Sequence, residues 1–206
     1  MKSLSKRLLR LTLFAIATTS LFSVRPVQAY TVRLHQVGSN VVATGSGPIN
    51  LTGLTFTGLS SSAAGMNPSI ADLAVATGLQ DQYQGFSGPL SFGPGGITFA
   101  NSNSGDAVTL ISGMTSFSGL FVPQGYVSGG ALSSSSTYNN ATFASLGVTP
   151  GTYVWSWGQG ANQRFTLIIG RVGVPDAGST LPLLSFASLG LAALRRKLPL
   201  LRRRKS

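Results

Sequence analysis

Apolar and polar residues alternate in short runs through the middle of this chain, and a period of two is typical of β-strands. Tyr30 to Val37 alternates in this way, Gly38-Ser39-Asn40 has the composition of a turn, and apolar residues resume from Val41 to Thr44. Two short alternating runs joined by turn residues predict a β-hairpin at this point.

A second hairpin is predicted near the end of the same region. Between Gly151 and Trp157, alternation places Tyr153, Trp155 and Trp157 on one face, and the run from Phe165 to Ile169 supplies a partner strand. Two interpretations of the aromatic face remain open. The three rings either form part of a hydrophobic core or stack on the apolar face of a glycan.

Further strands are predicted wherever β-branched or aromatic residues cluster between turn residues. Asn101 to Asp106 has the composition of a polar turn, and Pro68 to Thr77 predicts one short helix or helical turn. The further strands are Ile49 to Phe56 with Leu51 and Leu54 inward, Ile97 to Ala100, Ala107 to Ile111, and a pair around Gly119 to Val127 bent at Pro123-Gln124-Gly125. Many short strands separated by turns predict a mainly β, single domain, either an antiparallel β-sandwich or a jelly-roll.

The first 29 residues have the three parts of a secretory signal peptide. Basic residues come first, an apolar stretch from Leu11 to Phe22 follows, and Val27-Gln28-Ala29 is a small-x-small cleavage site before Tyr30. The apolar stretch is short of the roughly 20 residues that span a bilayer. The sequence therefore predicts cleavage between Ala29 and Tyr30, with signal peptidase and the Sec machinery as partners.

The end of the chain, residues 174–206, also has three parts. A short motif is followed by an apolar stretch from Leu181 to Leu194 and then by a basic region, residues 195–206, that begins with Arg195, Arg196 and Lys197. At about 1.5 Å per residue the apolar stretch is about 21 Å long, against a hydrocarbon core of about 30 Å. We expect a marginal transmembrane helix with its basic end on the cytoplasmic side. The motif residues are Val174, Pro175, Asp176, Ala177, Gly178, Ser179 and Thr180.

This tail resembles the bacterial C-terminal sorting signals called PEP-CTERM, in the variant whose motif begins Val-Pro-Asp. Six of the seven motif residues match the family pattern, and Ala177 replaces its usual serine. The segment from Ala141 to Trp155 also resembles a stretch found just before the sorting tail in many such proteins. The resemblance implies an exosortase as partner, which is a membrane transpeptidase that cuts near Pro175 and Asp176 and passes the body to the cell surface.

Charge does not support nucleic-acid binding, although the formal net charge is +11. The basic residues lie mostly in the two ends, and the body from Tyr30 to Gly173 is formally neutral. A protein that binds nucleic acid through phosphate needs a basic surface. The charged residues of this body are Arg33, Arg164, Arg171, Asp72, Asp81 and Asp106.

The body also has few groups that could carry out chemistry. There is no cysteine, which excludes thiol catalysis and disulfides, and there is no glutamate to act as the acid of a glycosidase. A Ser-His-Asp site would have to use His35, which lies in the middle of a predicted strand, and no Gly-x-Ser-x-Gly motif is present. We expect no catalytic residue, metal site or cofactor.

Together these patterns predict an exported surface or extracellular-matrix protein that is first held in the inner membrane and then sorted. We expect a body with a structural or adhesive role in extracellular polysaccharide. One alternative is a glycan-binding module that uses the face of Tyr153, Trp155 and Trp157. The other is a secreted hydrolase in which His35 and an aspartate share a pocket.

Overall fold

The computed structural model describes residues 29–114, 117–160 and 162–170. The described chain forms two β-sheets. The first has six strands in the order β12-β13-β1-β2-β11-β8. These strands are β1 (Thr31–Val37), β2 (Asn40–Pro48), β8 (Ser102–Gly105), β11 (Ala131–Tyr138), β12 (Gly151–Ser156) and β13 (Arg164–Ile169).

The second sheet has seven strands in the order β3-β6-β10-β9-β5-β4-β7. Among the described strand pairs, β1 and β13 run parallel and the others are antiparallel. The strands are β3 (Thr55–Ser62), β4 (Gly65–Asn67), β5 (Asp72–Ala74), β6 (Gly78–Gln84), β7 (Thr98–Phe99), β9 (Thr109–Ile111) and β10 (Gly119–Pro123). The prediction of a mainly β body is therefore confirmed, as two sheets of antiparallel and mixed pairing.

One hydrophobic core is shared by the two sheets. Val32 and Leu34 of β1 contribute to it from the six-stranded sheet, and Leu110 of β9 and Leu120 of β10 contribute from the seven-stranded sheet. All four side chains are buried. Because side chains alternate along a strand, the neighbours of these residues lie on the opposite faces of the sheets.

Both hairpins that the alternation predicts are present. β1 and β2 pair from Thr31 with Ser46 to Val37 with Asn40, so a two-residue connection joins them. β12 and β13 pair throughout, with Trp155 opposite Phe165.

No helix in the described ranges is long and apolar enough to cross a membrane.

The predicted strand from Ile49 to Phe56 is wrong in its position, because β3 begins only at Thr55. Before it the backbone turns, with the amide of Leu54 donating to the carbonyl of Leu51 and Gly53 at a φ of +90°. Leu51 and Leu54 still pack against the core, but from a loop.

The prediction of a polar turn from Asn101 to Asp106 is also wrong. Ser102–Gly105 forms β8, an exposed edge strand that pairs with β11. Its side chains are polar and carry no apolar alternation. The strand exists because β11 supplies backbone hydrogen-bond partners from a distant part of the chain.

Two further predictions need correction. The helical expectation for Pro68 to Thr77 holds only for the single 3-10 turn Pro68–Ile70, because Ala71 has a φ of +47° and the chain then extends into β5. The second strand of the pair predicted around Gly119 to Val127 is absent from the described chain. There the backbone turns after Pro123, and the Tyr126 hydroxyl donates to the carbonyls of Ile49 and Gly130.

Candidate functional site

The predicted signal-cleavage residues lie inside the folded domain. Ala29 is 3% exposed and Tyr30 is fully buried. The amide of Tyr30 donates to the carbonyl of Pro48 at 3.0 Å, and its ring centroid lies 5.4 Å from that of Phe165. The peptide bond between Ala29 and Tyr30 therefore joins two buried residues.

The Tyr30 hydroxyl is held as firmly as its backbone. It lies 2.6 Å from the Ser134 hydroxyl of β11, and both groups are buried. Burial raises the pKa of Tyr30, so the phenol stays neutral at physiological pH. Gly45 of β2 leaves the space that this hydroxyl occupies, since a Cβ atom at Gly45 would collide with it.

The sorting motif and the basic stop lie outside the described residues. This applies to Val174, Pro175, Asp176, Gly178, Ser179, Thr180, Arg195, Arg196 and Lys197. The described chain ends at Gly170, whose amide donates to the carbonyl of Leu34 at 3.1 Å. The boundary between body and tail at residues 173 and 174, and the helix from 181 to 194, stay predictions.

Of the three rings of the predicted aromatic face, Trp155 in β12 and Trp157 just after it lie in the core, and Tyr153 of β12 packs against it. Trp155 is fully buried and Trp157 is 9% exposed, while Tyr153 is half-buried. Trp155 makes an edge-on contact with Phe165, with ring centroids 5.8 Å apart. The burial favours the core interpretation of these three rings.

The polar atoms of these rings are also occupied. The indole nitrogen of Trp155 donates to the carbonyl of Pro89 at 2.8 Å, and that of Trp157 donates to the carbonyl of Asn50 at 2.7 Å. The hydroxyl of Tyr153 donates to the carbonyl of Thr149 at 3.0 Å. Each ring therefore donates the hydrogen of its polar atom to a carbonyl of a neighbouring loop.

The ionisable groups of the body do not share one described pocket. Asp81 accepts a hydrogen bond from the amide of Gly125 at 2.9 Å, and Asp106 accepts one from the amide of Ser133 at 2.7 Å. Asp72 lines a pocket on the seven-stranded sheet, and His35 is not part of its lining. Residues 29–114, 117–160 and 162–170 contain no group of three or more His, Cys, Asp or Glu residues that could hold a metal ion.

Sequence reasoning missed the pocket that contains Asp72. It assigned Asp72 to a helical segment and treated Ile97 and Phe99 only as a strand. No local pattern brings Phe99 to this site, because β7 joins β4 by pairing Phe99 with Gly65 across a long separation in the chain. The feature of the sequence that could have drawn attention to this site is the scarcity of acidic residues, because Asp72 is one of only four in the chain.

The tail of the chain matches a known family model. Residues 173–198 match the VPDSG-CTERM motif. No curated protein and no solved structure matches the chain. The matched segment contains the Val-Pro-Asp motif, the apolar stretch and the first basic residues, in that order. This chain carries, at residues 173–198, a C-terminal sorting signal of the PEP-CTERM type.

Proposed function

We propose that the chain is an exported bacterial protein that an exosortase processes at its tail, and that its β body has a structural or adhesive role at the cell surface or in the extracellular matrix. The observation that carries this proposal is the sorting signal at residues 173–198. A sorting signal has a use only on a protein that reaches the membrane, so export and processing follow from it.

The two ends of the chain support one route. A signal peptide that ends at Ala29 brings the body across the membrane, and the apolar stretch from Leu181 to Leu194 then holds the tail in the bilayer. Pro175 and Asp176 lie just outside that stretch, where a membrane-embedded enzyme can reach them. The partners are signal peptidase, the Sec machinery and the exosortase.

The proposal of a non-catalytic body rests on the chemistry of its side chains. Asp81 and Asp106 accept hydrogen bonds from backbone amides and thereby stabilise turns and strand ends. The two-sheet arrangement around one core is the one expected of a β-sandwich, which is a common scaffold for surface domains. A body of this kind acts through its shape and its polar surface.

The processing step is tested by changing the motif in the full-length chain. We expect Pro175→Ala with Asp176→Ala to leave a membrane-held chain of higher mass, because the exosortase no longer finds its site. Pro199→Ala is the matched control, since Pro199 lies beyond the matched segment. Mass spectrometry of surface and membrane fractions measures the result, and equal release of the double variant and the parent would show that the tail is only an anchor.

A further inference from the structure

A pocket of about 170 Å³ opens on the seven-stranded sheet, on the face opposite the shared core. The register shows why it lies there. Asp72 of β5 pairs with Ile111 of β9, and Ala74 pairs with Thr109. The intervening residue Leu73 belongs to the core, so Asp72 and Ala74 point to the other side of the sheet.

The floor and rim of the pocket are apolar. Gly65 of β4 lies opposite Ala74 of β5, so small residues leave the floor open. Phe99 pairs with Gly65 from the edge strand β7, and its ring lies beside the glycine. Phe99 is 61% exposed and Ile97 is 63% exposed, although both are large apolar residues. Exposed apolar side chains that border a pocket are typical of a binding surface.

Asp72 differs from the other two carboxylates of the body. Asp81 and Asp106 each accept a backbone hydrogen bond, whereas no group among the described residues donates one to the Asp72 carboxylate. Burial raises the pKa of Asp72 to about 6. A partly buried carboxylate without a partner costs free energy, and a ligand that brings a positive charge removes that cost.

The two hydroxyl side chains of the pocket lining, Ser62 and Thr109, are bonded to each other. The Thr109 hydroxyl donates to the Ser62 hydroxyl at 3.0 Å and accepts from the side-chain nitrogen of Gln80 at 3.0 Å. This leaves the Asp72 carboxylate as the charged group of the described pocket lining that is open to a ligand, beside the Ser62 hydroxyl, whose hydrogen has no acceptor among the described residues. A sugar needs several polar partners at once, and a calcium ion needs six or more oxygen ligands.

We propose that this pocket binds an organic ammonium group carried on a short apolar chain. The ammonium pairs with the Asp72 carboxylate, and the methylene groups lie against Phe99 and Ile97, where the Phe99 ring adds a cation–π contact. The ammonium comes either from a free alkylamine or from a lysine side chain of another polypeptide. The proposal does not depend on the sorting function, because it rests on the body alone.

The composition of the chain allows a direct test by NMR on the full-length chain in detergent micelles. The chain has four acidic residues, all aspartates, so a carboxyl-labelled sample gives one resonance each from Asp72, Asp81, Asp106 and Asp176. We expect n-butylammonium to shift the Asp72 resonance in a saturable way and to leave those of Asp81 and Asp106 unchanged. Neutral n-butanol, as the matched ligand, should bind at least about tenfold more weakly, since it lacks the charge.

Variants test the two walls of the site, with the δ-methyl resonance of Ile111 as reporter, because Ile111 lines the pocket and pairs with Asp72. Asp72→Asn should weaken n-butylammonium binding at least about tenfold through loss of the ion pair. Phe99→Ala should weaken it about five- to tenfold through loss of the ring contact. Asp81→Asn is the matched control, because it removes the same charge from outside the pocket and its amide oxygen can still accept from Gly125. Circular dichroism confirms that each variant is folded.

Comparison of n-butylammonium with Nα-acetyl-lysine N-methylamide separates the two sources of the ammonium. Tighter binding of the first supports a site for free amines, and tighter binding of the second supports a site for a lysine side chain. The proposal is overturned if neither cation shifts the Asp72 resonance, if n-butanol or methyl glucoside binds as tightly as the cations, or if Asp72→Asn binds them as the parent does.

Discussion

The hydroxyl oxygens of Tyr30 and Ser134 lie 2.6 Å apart, although 104 positions separate the two residues in the chain. Tyr30 is the predicted start of the exported protein and Ser134 lies in β11, so this hydrogen bond ties that start to the strand next to the edge strand β8 of the six-stranded sheet. The signal-cleavage bond and the core therefore meet at one residue.

This position of Tyr30 predicts that the signal peptide is removed before the body folds. We expect signal peptidase to cut the folded precursor at least about tenfold more slowly than a precursor with Phe165→Ala, a change that opens the core around Tyr30 and leaves the cleavage sequence intact. N-terminal sequencing should give Tyr30 as the first residue of the product. Equal cutting rates for the folded and the opened precursor would contradict the prediction.

The close approach of the Tyr30 hydroxyl to Gly45 predicts that a methyl group at position 45 destabilises the fold. Gly45→Ala should lower the free energy of unfolding by about 1–3 kcal/mol, because the added methyl group collides with the Tyr30 hydroxyl and with Ser134. Gly96→Ala is the control, since a Cβ atom there meets nothing within 4 Å. Urea unfolding measures both variants. Adding Tyr30→Phe to Gly45→Ala should recover part of the loss, and a double variant whose losses simply add would show that the two groups do not compete for space.

Replacing Trp155 should destabilise the whole fold and should not remove binding selectively. Trp155→Ala should cost about 3–5 kcal/mol, because the ring is fully buried and packs edge-on against Phe165. Val154→Ala on the same strand should stay within about 0.5 kcal/mol, since Val154 faces solvent and is 43% exposed. Thermal unfolding measures both. A Trp155→Ala variant that kept its melting temperature and lost binding to polysaccharide would favour the glycan-binding alternative.

Because Asp72 is partly buried, we expect its contribution to the free energy of unfolding to fall as pH rises. The folded state raises the pKa of this carboxyl from 3.8 to about 6 through burial, so the folded chain binds a proton more tightly than the unfolded chain does. Its contribution is complete below about pH 4 and is lost as pH rises through about 6. A difference of about two pH units, each worth about 1.4 kcal/mol, sets the loss at no more than about 3 kcal/mol.

Asp72→Asn should therefore stabilise the chain at pH 8 and leave its stability near that of the parent at pH 4. The adjoining strands β4 (Gly65–Asn67) and β9 (Thr109–Ile111) contain no ionisable side chain. The Asp72 charge also acts on Tyr138. Burial raises the pKa of Tyr138 to about 12, so this side chain stays neutral between pH 4 and pH 8. Denaturant unfolding at both pH values checks the prediction, and a gain at pH 8 no larger than that at pH 4 would contradict it.

Local pattern predicted the parts of the fold that depend on neighbouring residues. The hairpins β1–β2 and β12–β13 each join strands that are close in sequence, so alternation and turn residues define them. The edge strand β8 was missed because its four exposed residues carry no apolar alternation. Its pairing with β11 depends on contacts across about thirty residues, which no local pattern contains.

The candidate sites also differ in how far the sequence alone predicts them. The sorting motif is a linear signal, so it is readable from the sequence and its match at residues 173–198 is confirmed. The pocket around Asp72 depends on the register of β4, β5, β7 and β9, which sets Phe99 and Ala74 on the two sides of Gly65. The alternation of Tyr153, Trp155 and Trp157 predicts a face that is covered, but alternation alone does not say whether a core or a ligand covers it.

The parallel pairing of β1 and β13 has a mechanical consequence for a protein held at one end. β13 lies between β12 and β1, with Thr166 opposite Thr31 and Ile169 opposite Leu34. A force that pulls on the chain through Gly170 acts along the strand, so the hydrogen bonds to both neighbours are loaded in shear and must break together. An edge strand pulled in the same direction has hydrogen bonds to one neighbour only and would come away under a smaller force. The strand nearest the tail is thus the one best placed to carry tension from an anchor into the body.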